Sequence, residues 1–455
     1  MKKSIVTPLL LALLAAPVMA QEPTDTEKRI RDLEKQVEAL QKKDAAKPAK
    51  AADAEPAKKS KGIELKTVTD KGQLSWETAD GAYKFRLTGR VQFDGLFNSD
   101  SDNRLSNGFT LRRVRLGYKA TIAKDWISEL SVDFAENAVD IKDAFIGYKG
   151  ITDSTIQAGH FKVPFGFDTL TSSANIWFVE RSYSDAWTPD RRLGFGYYYG
   201  AERWQAAADI FMQTISVDAT GVDQGWGWAV RASGAPLYKS KKEALHIGFA
   251  YNNRTPDAAA ASSAAFAPIV YAIDFSSRPE ATKVSKAKFL NSGTMNEVDN
   301  VAQWAAELAG VWGPISWQGE YQESKVNRRS GNPNLSDHKF STWYGQAAWT
   351  FNGQRTYDPS EGLFGRVAPG KGGAYELLVR YSQMDLNDIT TVDPIKGGSA
   401  KNLTFGVNYY PNYNIRLMLN YTLVDNDEYA KPKTTYGGLT NDDFNELQFR
   451  IQFAF

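Results

Sequence analysis

Glu446-Leu447-Gln448-Phe449-Arg450-Ile451-Gln452-Phe453-Ala454-Phe455 alternates polar and apolar residues almost to its end. Successive side chains of a β-strand point to opposite faces, so the stretch predicts a strand with Leu447, Phe449, Ile451, Phe453 and Phe455 on one face and Glu446, Gln448, Arg450 and Gln452 on the other. The same period of two runs through Tyr83, Phe85, Leu87, Gly89, Val91, Phe93, Gly95 and Phe97 against Lys84, Arg86, Thr88, Arg90, Gln92 and Asp94. It returns in Ile415, Leu417, Leu419, Tyr421 and Leu423 against Asn414, Arg416, Met418, Asn420 and Thr422. Similar segments centre near residues 115, 130, 145, 158, 196, 208, 229, 248, 306, 318, 346, 379 and 406, about sixteen strands in all. Roughly 375 residues follow the first 80, about 23 per strand with its connection, and a membrane-spanning strand needs roughly 9–11.

A soluble sandwich also alternates, because its two sheets bury apolar faces against each other. Three features favour a barrel in a membrane. Connections alternate in length: Pro411-Asn412 and Gly313-Pro314 are tight, whereas Thr255–Asn300 and Asp425–Asp443 are long. Trp126, Trp204, Trp226, Trp228, Trp304, Trp312, Trp343 and Trp349 fall near strand ends, where interfacial girdles lie. Phe455 closes an alternating strand. The expected fold class is all-β, a transmembrane antiparallel β-barrel of about 16 strands with a short N-terminal periplasmic coiled-coil helix.

The 455 residues include no Cys, 54 Lys+Arg and 53 Asp+Glu, for a formal charge of +1. Such a balance argues against a nucleic-acid partner, which would call for a net cationic excess. The lack of Cys removes disulfides, thiolate metal sites and cysteine nucleophiles. His160, His246 and His338 stand far apart, and none has a sequence-adjacent catalytic partner, so a barrel lipase or protease is disfavoured and no catalytic residue, metal or cofactor is expected.

Lys2 and Lys3, an apolar run from Leu9 to Ala16, and Val18-Met19-Ala20 predict a secretory signal peptide over residues 1–20. Over 21–43, Ile30, Leu33, Val37 and Leu40 make a short coiled-coil seam. Residues 44–72 read as an Ala/Lys/Pro-rich linker, and 73–455 as the barrel, with an inward loop at about 163–190. Periplasmic placement of the N-terminal segment suggests a peptidoglycan contact, and a structural tether is the rival from another functional class.

With apolar residues facing lipid, parity sends Lys84, Arg86, Arg90, Arg113, Arg115, Lys119, Lys162, Arg192 and Arg231 into the lumen, a cationic surplus confined to the first half of the chain. Arg facing lipid at the midplane would cost roughly 2–4 kcal/mol. By the same parity Arg112 points outward, near the rim. Guanidinium groups along one wall offer successive weak sites to anions, with two-pronged donors for phosphate. Asp133 is placed to hold the arginines. The apolar stretch Val163–Asp190, with Trp177, Phe178 and Trp187, is too greasy to float in water, which makes Lys162, Arg181, Arg191 and Arg192 candidates for a constriction. A general porin with a merely transverse field is the competing account. Acidic residues between Asp425 and Asp443 suggest lipopolysaccharide contacts through divalent ions, or an ordinary solvated loop.

Phe109-Thr110-Leu111-Arg112-Arg113-Val114-Arg115-Leu116-Gly117-Tyr118, Asp125-Trp126, Val132-Asp133-Phe134-Ala135, Lys142-Asp143-Ala144-Phe145-Ile146-Gly147-Tyr148-Lys149, Gly159-His160-Phe161-Lys162-Val163-Pro164-Phe165-Gly166, Leu170-Thr171-Ser172-Ser173, Glu180-Arg181-Ser182 and Arg191-Arg192-Leu193-Gly194 follow one another in order. In this the chain resembles the phosphate-selective porin family, the porin O and P group, of Gram-negative outer membranes. The resemblance implies a sixteen-stranded homotrimeric barrel in the outer membrane, an inward loop, an arginine-lined pathway and passive uptake of phosphate, pyrophosphate or polyphosphate. It matches Arg112, Arg113, Arg115 and Asp133 to the region that supplies pore arginines and an aspartate. The expected anion contacts are thus Arg113, Arg115, Lys162, Arg192 and Arg231, then Arg86 and Arg90, with Asp133 in support and Arg181 and Arg191 on the constriction loop.

Overall fold

Along Ile415–Asn426 exposure and burial alternate without a break, and up to Leu423 the exposed residues are apolar. Leu419 is 47% exposed while Arg416 and Asn420 on the other face are 2% exposed. This inversion holds for strand after strand: Phe405, Phe453 and Ile451 face outward, and Thr404, Gln452 and Arg450 face inward. A surface of that kind is stable only in hydrocarbon, where every backbone N–H and C=O must be paired within the protein.

The computed structural model describes residues 32–36, 38–39, 65–70, 72–102, 105–212, 224–260, 269–329, 331–431 and 442–455. The signal segment 1–20 lies outside them, as does the expected linker up to residue 64. The chain divides into two units, 1–62 and 63–455. In the first, residues 32–36 and 38–39 are helical, including Leu33 of the expected seam; Ile30, Val37 and Leu40 lie outside the described residues.

The second unit opens with a hairpin, β1 (Leu65–Asp70) and β2 (Gln73–Thr78), where the composition had suggested linker as far as residue 72. Sixteen barrel strands follow: β3 (Lys84–Ser99), β4 (Gly108–Ile122), β5 (Trp126–Asp133), β6 (Asp140–Ile151), β7 (Ser154–Lys162), β8 (Arg191–Gly200), β9 (Trp204–Met212), β10 (Trp226–Ser240), β11 (Glu243–Arg254), β12 (Val298–Trp312), β13 (Ile315–Arg328), β14 (His338–Phe351), β15 (Ala374–Asp388), β16 (Ile395–Tyr410), β17 (Ile415–Asn426) and β18 (Phe444–Ala454). Each pairs antiparallel with its neighbour, and β18 returns to β3 from Asn445↔Ser99 to Ala454↔Arg90, so no edge is left open. Phe455 and Gly89 exchange backbone hydrogen bonds of 3.0 and 3.1 Å. A Cβ on Gly89 would sit 2.4 Å from the tip of the Phe455 ring, so the ring packs directly over the glycine at the seam.

Paired aromatics mark both rims. Trp126 with Tyr148 and Tyr199 with Trp204 lie at the short-turn end, and Trp228 with Tyr251 and Trp343 with Tyr381 toward the other. The short-turn rim carries connections of two to four residues, with one exception. Residues 352–373, between β14 and β15, form a folded hairpin whose small ladders pair Gly353 with Pro369 and Tyr357 with Phe364. It turns into the lumen, where Tyr357, Phe364 and Leu363 pack with Phe167, Trp177 and Phe178 of the inward loop.

One parity expectation is corrected. Arg112 does not point outward. Gln92 pairs with Arg113 and Phe93 with Leu111, leaving Arg112 as the extra residue of a β-bulge. The bulge returns its side chain to the lumen, and its guanidinium meets Glu180 at 2.6 Å.

Buried ion pairs bind the inward segments to the wall. Arg450 donates to both oxygens of Asp94 at 2.7 and 2.6 Å and to Glu180 at 3.1 Å. Removing one member of such a group leaves an unpaired buried charge, which typically costs about 3–5 kcal/mol. We therefore expect Arg450→Met to lower barrel stability by about 3 kcal/mol or more in urea unfolding from lipid. Breaking the exposed Lys239–Glu243 pair with Lys239→Ala should change it by less than about 1 kcal/mol. Equal effects of the two substitutions would contradict the assignment.

Candidate functional site

Residues 163–190 leave the end of β7, enter the barrel and come back at β8, burying Phe165, Phe167, Trp177, Phe178, Val179, Tyr183 and Trp187 almost completely. What holds this apolar segment in a polar lumen is its own backbone, which the wall satisfies. The Phe167 N–H donates to Glu320 at 2.8 Å, the Val179 N–H to Asn420 at 2.7 Å and the Tyr183 N–H to Glu280 at 2.9 Å. In the other direction Arg416 donates to the carbonyls of Ile176 and Trp177, Asn408 to that of Trp177, and Arg380 to that of Glu180. Arg355 and Arg380 also lie over the Trp177 and Phe178 rings at 4.4 and 4.5 Å. These partners come mostly from β13 and β15 to β18, so the loop fills that half of the barrel.

The other half stays open. A cavity of about 870 Å³ runs along the wall from β3 to β8, lined by Arg86, Arg90, Arg112, Arg113, Arg115, Lys119, Lys142, Lys162, Arg181, Arg191, Lys283 and Arg366 against only Glu129, Asp143, Asp185 and Asp190. Twelve cations face four carboxylates in a chain whose total charge is +1.

Pairing separates two groups of cations. Arg115 donates to Asp133 at 2.7 Å, Lys119 meets Glu129 at 2.7 Å, Arg191 meets Asp143 at 2.9 Å, and Lys283 meets Glu136 at 2.7 Å. Asp133 also accepts the Val114 N–H at 3.0 Å, which fixes Arg115 to its own strand. By contrast, among the described residues Arg86, Arg90, Arg113, Lys162 and Arg366 have no carboxylate salt bridge. Arg86 donates to Gln73 at 2.8 Å, Arg113 to Gln92 at 2.9 Å, and Arg366 to the Tyr413 carbonyl at 2.7 Å. Arg90 is held by Ser173, and Lys162 by the carbonyls of Thr169 and Leu170. Neutral partners orient these five cations, none of them in a carboxylate salt bridge among the described residues, and of the five Arg113 is itself buried.

Arg181 donates to the carbonyls of Asp168 and Thr171 at 2.8 and 2.7 Å, with Asp185 at 3.6 Å. Two expected contacts lie elsewhere. Arg231 is locked onto Glu307 at 2.9 and 2.7 Å and onto the Gly362 carbonyl, away from the lane. Arg192 donates to the Arg191 carbonyl and does not line the lane. Sequence reasoning missed Arg366 and Lys142, and its parity placed Arg112 on the wrong face. For Arg366 the available signal was the unusual 22-residue length of the connection 352–373 on the short-turn rim. His246, for which the sequence offers no partner, sits between Tyr357 at 2.6 Å and Glu307 at 3.0 Å and joins the periplasmic hairpin to the wall.

At the boundary stands Glu180. Burial opposes its ionisation, but the charges of Arg112, Arg113 and Arg450 prevail and hold its carboxyl well below the usual glutamate range. Because the value is depressed by folding, the clasp contributes in full above the ordinary glutamate pKa and is lost only as pH falls through the lowered one.

A closed sixteen-stranded barrel with a folded-in loop and a water-accessible charged lane is a passive diffusion channel of the outer membrane, a porin. Residues 85–455 match the family described as phosphate-selective porin O and P, and the chain belongs to that family. Porin O of Pseudomonas aeruginosa is 26% identical over 418 residues, covering 85% of this chain and 92% of that protein. Among solved structures, OmpT of Vibrio cholerae in its trimer form superposes with a TM-score of 0.51 at 10% identity, over 82% of this chain and all of that one. OmpF of Salmonella typhi in complex with daunomycin gives 0.50 at 13% identity, over 83% of this chain and all of its own. Family and fold point to a channel rather than an enzyme.

Glu180→Gln removes the one charge that Arg112 and Arg450 share. The expected outcome is a stronger anion preference, read as a shifted reversal potential under a potassium chloride gradient. An unaltered potential would mean that Arg112 does not face the conducting water.

Proposed function

We propose that this porin carries small anions, phosphate or pyrophosphate foremost, by passive diffusion along the lane of Arg86, Arg90, Arg113, Lys162 and Arg366, with Arg115, Arg181 and Arg191 adding to the field and Asp133 fixing Arg115. The observation that carries the reading is that five of the twelve cations lining the cavity lack a carboxylate partner among the described residues, while others pair with carboxylates such as Asp133 and Glu180. Spaced guanidinium groups offer an anion several shallow wells in series, which permits binding without trapping. Phosphate gains more than chloride because a guanidinium presents two parallel donors to two oxygens. The family's description as phosphate-selective supports the same solute, and the trimer form of the Vibrio cholerae structure supports a homotrimer in the outer membrane.

The experiment is the reversal potential of the purified protein in a planar bilayer under a potassium chloride gradient, repeated with added phosphate. Anion preference and block of chloride current by phosphate are expected. Arg90→Ala combined with Lys162→Ala should raise the half-blocking phosphate concentration about tenfold or more, each lost charge-assisted contact being worth about 1.5–3 kcal/mol. Cation preference in the parent protein would overturn the proposal.

A further inference from the structure

The wall of the lane is not charged throughout. On β6 to β8, Phe145, Phe161 and Tyr198 all line it. Phe145 meets Phe161 edge-to-face with centroids 6.0 Å apart and planes at 81°, and Phe161 meets Tyr198 in the same way at 6.3 Å and 77°. The track is spaced by glycine. A Cβ on Gly196 would lie 2.7 Å from the Tyr198 ring and 3.2 Å from the Phe161 ring, and one on Gly159 would lie 2.9 Å from the Cβ of Phe145. Phe145 and Tyr198 are partly exposed and face the lane, where inorganic ions gain nothing from an aromatic surface.

The track leads somewhere. A second cavity of about 480 Å³ shares Leu170 and Tyr198 with the lane and continues beneath the inward loop toward the short-turn rim. Its walls include Pro164, Leu170, Tyr198, Tyr199, Ala207 and Leu363. The charge of Arg231, which borders it, is already matched by Glu307. The space thus offers apolar and aromatic surface, with hydrogen-bonding groups such as Gln205, Ser154 and Thr155 and the charged Lys149, Asp153 and Glu361 also on its lining.

We infer that the channel selects organic anions, molecules with one phosphoryl group and an apolar or ring-bearing remainder, and that Phe145, Phe161 and Tyr198 are specificity-determining residues guiding the remainder toward the pocket at Tyr199 and Leu363. This rests on the anion-lane reading and narrows its substrate class. The anionic head travels on Arg90, Arg113 and Lys162 while the ring passes along the adjoining strands. Rings that meet edge-to-face leave exposed faces and edges on which another ring or an alkyl chain can slide.

The test compares inorganic phosphate with phenyl phosphate as blockers of chloride current through the purified full-length protein in planar bilayers. Phenyl phosphate is expected to half-block at about three- to tenfold lower concentration, the gain from one aromatic contact. In a Phe145→Ala/Tyr198→Ala variant the ratio of the two half-blocking concentrations should fall to near one. Equal or weaker block by phenyl phosphate in the parent overturns the inference whether or not the variant folds, and so does a ratio that survives the substitutions. Retained anion preference with a ratio of one would sink this inference alone. Loss of anion preference in the parent would sink the lane reading and this inference with it.

Discussion

Glu180 accepts hydrogen bonds from Arg112 on one side and from Arg450 on the other, and this shared carboxylate divides the lumen in two. Beyond Arg450 several charges are matched, Arg450 with Asp94, Arg380 with Glu280, Arg355 with Glu376 and Arg231 with Glu307, while Arg416 is capped by loop carbonyls. Matched charges can be buried, so loop backbone and aromatic rings pack there. Beyond Arg112 several cations, among them Arg86, Arg90 and Lys162, have only neutral partners, and a low-dielectric filling would penalise them heavily. The two halves differ in how many of their cations are paired with carboxylates.

This partition reconciles two facts that otherwise conflict, a chain of nearly zero net charge and a strongly cationic pathway. The compensating carboxylates are spent on the filled half, where they anchor inward segments. Residues 163–190 enter from the loop rim, and residues 352–373 meet them from the short-turn rim through Phe364, Trp177 and Phe167. Glu280 and Thr282 of the long connection after β11 brace the same region by accepting from the Tyr183 N–H and donating to Asp94. The lane's width is therefore set by segments that are not part of the barrel ladder.

How much of this could be read in advance follows from the range of the interactions. Period-two alternation is local, so the sixteen strands, their lipid and lumen faces and the outer-membrane class were legible without any partner information. Arg112 was misplaced because a bulge depends on register with β3, which no property of its own strand reveals. Arg113 and Arg231 look alike in sequence, each an inward cation on a strand. Only the distant Glu307, 76 residues along the chain from Arg231, neutralises one, while the other is held by the neutral Gln92. Compensation is a long-range property, and it decides which arginines can serve the lane.

The periplasmic hairpin starts and finishes on neighbouring strands whose ladder runs on to its base, Phe351 opposite Tyr375. A segment inserted at such a point does not disturb strand number, register or closure. Its outer length can thus change while the barrel stays the same, provided Arg355, Tyr357 and Phe364 keep their partners in the lumen. Diversification of what these channels admit would then proceed at the turn between β14 and β15 as readily as on the outward loops, and on the side of the membrane hidden from phage and antibodies.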